Sequence, residues 1–261
     1  MMLPYWGTVG LCQILAYAVL DVDFFSGSKS SNLQELLVLT TFSMVGTVLF
    51  IKTWNDFVDR ERKWSFSIDW LGIKLGVLVP AVILGLGLSI LAAADILEIV
   101  KVKMQFGNLL TSGLLFLAVA VTEEVLMRYY VLRNLMISFH PVVALTTSSL
   151  LFASLHFANP SFSLFAFFNL FLAGVFLGLP YLYNQNLSFP IIGHFVWNFV
   201  QGPLLGFEVS GRDISGVLQL DMSSENYWNG GSFGFEGSII CSTLLILGIL
   251  IVRKAYNSKL Q

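Results

Sequence analysis

The chain has 261 residues, 56% of them hydrophobic and only 11% charged, with a formal net charge of −2. A soluble domain carries about 25% charged residues, so this composition excludes an ordinary soluble protein, and the weakly acidic balance gives nucleic acid no footing. The two cysteines, Cys12 and Cys241, lie in apolar runs near opposite ends. They offer no metal spacing and no disulfide framework, and read as packing residues.

Taken in chain order, the apolar runs predict eight spans: Leu3–Leu20, Leu33–Thr53, Leu71–Ala94, Leu109–Leu132, Pro141–Phe157, Phe162–Tyr183, Phe189–Phe207 and Gly237–Val252. A helix needs about 20 apolar residues to cross the hydrocarbon core. The expected fold class is therefore all-α, a polytopic transmembrane helix bundle of about eight spans around a polar catalytic cavity. No Lys or Arg precedes the first apolar run, so it reads as a short first span and not as a secretory signal. No internal repeat or linker divides the chain, and 1–261 is read as a single integral-membrane domain. The second loop holds Arg60, Arg62 and Lys63 after Lys52, the densest basic cluster. The positive-inside rule then puts it, and both termini, in the cytoplasm. Arg128, Arg133, Arg253, Lys254 and Lys259 agree, whereas Lys101 and Lys103 fall in an outside loop. Residues Trp54–Asp69 mix aromatics with charges and read as an interfacial amphipathic segment. Glu208–Glu236, rich in glycine and acids, reads as an external loop.

Span four carries two adjacent acids, Glu123 and Glu124. An ionisable group at membrane depth costs roughly 2.5–3.5 kcal/mol, so two in succession need partners, water or a chemical use. A helix turns about 100° per residue. Glu124 and Arg128 therefore share a face in the favourable acid-first order, while Glu123 points elsewhere. The simple division pairs Glu124 with Arg128 and aims Glu123 into the bundle. From the doublet alone, two helix-end charges beside a snorkelling Arg128 remain an alternative. His156 closes span five, after Phe152. On span seven His194 and Asn198 are one turn apart on one face. Four such groups on three spans would each cost burial energy without partners, which favours a shared site. Ser154, two residues from His156, faces away from it and is not read as a nucleophile. His140 precedes Pro141 and reads as a solvated turn residue.

The ordered set E-E-x-x-x-R, F-x-x-x-H and H-x-x-x-N, each on its own apolar run, resembles the CPBP intramembrane protease family. That family includes the type II CAAX prenyl endopeptidases and the Abi bacteriocin-processing proteins. The positions are Glu123, Glu124, Arg128, Phe152, His156, His194 and Asn198, and the resemblance covers about 109–207. It implies hydrolysis of a peptide bond in a membrane-associated substrate, prenylated in the CAAX-type members. By the same resemblance Glu123 is the general base, His156 holds the attacking water, and His194 and Asn198 stabilise the oxyanion. Glu124 assists, and Arg128 and Phe152 give structural support. No cofactor is favoured. The alternative is zinc held by Glu123, His156 and His194, but H-E-x-x-H is missing and the ligands come from separate helices. Two non-enzyme readings are carried beside these: a Glu/His-lined transporter, and a non-catalytic immunity or scaffold protein. The expected setting is a bacterial inner membrane.

Overall fold

The computed structural model describes residues 2–20, 32–57, 67–222 and 226–258. The helices run in the order α1 (Met2–Val19), α2 (Leu33–Phe57), α3 (Trp70–Ala93), α4 (Phe106–Glu124), α5 (Arg133–Ser138), α6 (Pro141–Ser154), α7 (Leu164–Asn184), α8 (Ser188–Phe199) and α9 (Ile239–Asn257). The expected helical bundle is what forms. Among the described residues five stretches are long and apolar enough to cross a membrane: α2, α3, the continuous run Phe106–Ser138, α7 and α9. The other three expected spans are shorter helices. At 14 residues α6 rises only about 21 Å, less than the hydrocarbon thickness.

Packing places α8 among α3, α4 and α7, with α9 against α3 and α7, α6 against α7, and α1 and α2 against the α4 side. Small residues permit the close crossings, as expected where lipid gives no hydrophobic drive for helices to associate. A Cβ on Gly76 of α3 would stand 3.0 Å from the Gly193 nitrogen of α8. A Cβ on Gly174 of α7 would stand 2.9 Å from Ser149 of α6. Around these crossings Ile83, Leu84, Phe176, Leu177, Phe189 and Leu245 form one buried cluster, and Phe50, Ile51, Leu126, Met127, Phe152 and Leu170 another. Leu78, Val82, Leu110, Leu114, Leu247 and Ile251 face outward, the apolar exterior a lipid solvent allows.

Two helices loosen at one end. α4 runs on through a π-helical stretch, Val125–Leu132, before α5, and α8 runs on through Val200–Leu204, which contains Pro203. In the first, Ser148 Oγ of α6 donates to the Met127 carbonyl at 3.2 Å, which ties the widened turn to α6.

Several expectations need correction. Glu208–Glu236 is not simply an external loop. Its described part folds onto the bundle, burying Val209, Ile214, Phe233, Phe235 and Glu236. The strand Leu218–Met222 (β2) pairs antiparallel with Leu97–Val102 (β1), so Lys101 lies on a strand, not in a loop. The glycines that suggested exposure instead make tight turns: Gly211 (φ 78°) abuts Pro160, and Gly234 (φ 87°) abuts the Glu208 carbonyl. Most of the Trp54–Asp69 segment, residues 58–66, lies outside the described residues. Trp54 lies within α2, and Asp69 is buried, accepting from Asn184 Nδ2 and Tyr256 Oη at 2.8 Å each. That carboxylate joins the start of α3 to the ends of α7 and α9. The basic cluster Arg60, Arg62 and Lys63 lies outside the described residues, as do Glu225 and Lys259.

Candidate active site

Glu124 is fully buried on the last turn of α4. Its Oε2 accepts from Arg128 Nε at 2.7 Å, the expected pairing, although Arg128 sits in the π-helical stretch. Its Oε1 lies 2.8 Å from His194 Nδ1 on α8. A carboxylate flanked by arginine only accepts, so Nδ1–H is the donor and Nε2 is left free. One buried carboxylate thus links two helices and sets the ring of His194.

Glu123 turns away, as the helical angle requires, and its side chain is 31% exposed. Its Oε2 stands 4.0 Å from His194 Nε2 and accepts no hydrogen bond from the described residues. His156 lies just past α6, in the turn that follows, not on the helix itself. Its Nδ1 is 2.9 Å from the Phe152 carbonyl, which only accepts, so here also Nε2 is free. Phe152 is a buried hub. Its ring centre is 5.0 Å from that of His156, 6.0 Å from that of His194 and 5.3 Å from the Arg128 guanidinium carbon. The last contact gives the buried arginine a cation–π partner.

Glu123, His156, His194 and Asn198 all line one cavity of about 420 Å³. Glu124 and Arg128 do not; they stand behind its wall. Ser154 is also absent from the lining, and its hydroxyl donates back to the Leu150 carbonyl at 2.8 Å. His140 is exposed and caps α6, accepting from Val142 N.

Sequence reasoning missed one arm of the site. Glu236 is buried on the cavity wall. Its Oε1 accepts from Trp197 Nε1 at 3.0 Å, and its Oε2 accepts from the backbone nitrogen and hydroxyl of Ser210 at 2.9 and 2.7 Å. Asn159, Ser210 and Arg212 also reach the cavity. A lone acid at the threshold of an apolar helix was the available signal for Glu236. Its partners are distant in sequence and left none.

The zinc alternative calls on Glu123, His156 and His194, which line one cavity. Among the described residues no three His, Cys, Asp or Glu side chains gather closely enough to hold a metal ion.

Fold and site together define an integral-membrane helical protein with a polar, carboxylate- and imidazole-lined cavity. Residues 105–200 match the family described as Type II CAAX prenyl endopeptidase Rce1-like. The matched segment supports a likeness to the CPBP/CAAX protease family, and it spans all seven motif positions. Comparison with curated proteins and with solved structures gave no match.

Proposed function

We propose that the protein is an intramembrane endopeptidase that hydrolyses a peptide bond of a membrane-associated or prenylated (CAAX-type) protein or peptide. The observation that carries this reading is the meeting of Glu123, His156, His194 and Asn198 on one cavity inside the family-matched segment.

In the proposed reaction the Glu123 carboxylate takes a proton from water, and the resulting hydroxide adds to the scissile carbonyl. The free Nε2 of His156 positions that water. The oxyanion accepts from the Asn198 amide and from His194 Nε2–H. Because Nδ1–H is already given to Glu124, His194 fills this role with a proton on each nitrogen, its charge balanced by Glu123 and Glu124. Collapse of the tetrahedral intermediate expels the amine, which recovers the proton from Glu123. Positioned acid–base groups of this kind contribute about 10²–10⁴-fold. No step is assigned to a metal.

The whole chain, 1–261, acts as one membrane domain in this reading, and the lipid bilayer presents the substrate. The basic residues that follow spans four and eight support a cytoplasmic location for both termini, and a bacterial inner membrane is the proposed setting. The test uses purified protein in lipid nanodiscs, offered prenylated and unprenylated peptides, with mass spectrometry of the products. Cleavage of the prenylated peptide at a defined bond is the expected result. Proton or solute flux in liposomes without cleavage overturns the reading in favour of a transporter, and partner binding without cleavage favours a scaffold.

A further inference from the structure

A cation stands on the cavity wall. Among the described lining residues Arg212 is the only lysine or arginine. It is exposed, and no carboxylate among the described residues pairs with it. Glu236 shares the wall but already accepts from three donors.

The turn that presents Arg212 is firmly built. Val209 and Arg212 exchange backbone hydrogen bonds at 2.9 and 3.0 Å, with Ser210 and Gly211 between them at φ 50° and 78°. Gly211 N donates to the Phe233 carbonyl at 3.0 Å. Through Ser210 and Glu236 the turn is anchored to Trp197, the neighbour of Asn198 on α8. Val209 and Ile214 pack on Phe116 of α4, which fixes the level of the turn along the helix that bears Glu123. Phe116 precedes Glu123 by seven residues, about 10 Å of helical rise. An extended tail of three residues spans at most about 10–11 Å. A peptide cleaved beside Glu123, running toward the N-terminal end of α4 and ending three residues later, brings its terminal carboxylate to the level of Arg212.

We infer that Arg212 binds the C-terminal carboxylate of the substrate, and so sets the distance from chain end to scissile bond. The inference rests on the proteolytic reading above and adds a specificity-determining residue to it. A guanidinium holds a carboxylate through two parallel N–H···O bonds, with fixed direction as well as charge.

The test compares three peptides that share one prenylated cysteine. The first ends three residues later in a free acid, the second in the C-terminal amide, and the third carries four further residues. Wild type is expected to favour the free acid by about tenfold or more in kcat/KM, mainly through KM. Arg212→Gln is expected to bring the acid-to-amide ratio close to one, Arg212→Lys to restore part of it, and Arg212→Glu to reverse it. Equal cleavage of acid and amide by wild type overturns the inference while leaving the proteolytic reading intact. So does an Arg212→Gln variant that slows both peptides by one factor, the result expected if Arg212 holds a lipid phosphate or supports the fold. Binding of the same peptides to Glu123→Gln protein provides the separate readout. Acid-selective binding that depends on Arg212 supports the anchor even if no peptide is cleaved, and binding indifferent to the terminus contradicts it.

Discussion

Glu124 is the residue on which the local chemistry turns. It is wholly buried, and both its oxygens are engaged, one by Arg128 and one by His194. Replacing it by glutamine leaves the guanidinium without its countercharge, and removal of one partner from a buried pair costs about 3–5 kcal/mol. Glu124→Gln is therefore expected to lower thermal stability markedly and to reduce turnover, because the amide offers one acceptor oxygen where Arg128 Nε–H and His194 Nδ1–H need two. Unfolding curves and single-turnover rates measured on one preparation check both effects. The division of labour between the two glutamates was legible in the sequence, since about 100° of helical rotation separates them. The link from Glu124 to His194 was not. It depends on α4 lying beside α8, and nothing in either segment alone encodes that neighbour.

At the scale of elements, the site depends on how closely α3 and α8 approach. Gly76 faces Gly193 and Ile192, and His194 follows directly on α8. Gly76→Leu is expected to push α8 away from α3 at a cost of about 1–3 kcal/mol, to shift His194 and Asn198 from Glu123, and to lower kcat more than it raises KM. Steady-state kinetics on the folded variant reads this directly, and unchanged kcat contradicts it. Helix positions were largely readable because apolar length is a strong signal. Two kinds of element were not. The π-helical stretch Val125–Leu132 keeps an apolar helical sequence and changes only its backbone pitch. The β1–β2 ribbon pairs Leu97 with Met222, a contact that no local pattern announces. Phe233, Phe235 and Glu236 were hidden by the glycine-rich, polar composition around them, although each is buried.

For the whole molecule, the bundle brings one carboxylate, two imidazoles and one amide to a common cavity and keeps a second carboxylate behind the wall as support. In the proposed reaction, protein groups alone activate the water. Activity is accordingly expected to survive extended dialysis against a strong chelator, and its loss with recovery on added zinc contradicts the metal-free route. The most direct test of the account is the single-turnover rate of prenylated-peptide cleavage by Glu123→Gln protein beside wild type, both in nanodiscs and both confirmed folded by thermal unfolding. The account predicts a loss of about 10²-fold or more with peptide binding retained. A variant that cleaves at the wild-type rate contradicts it.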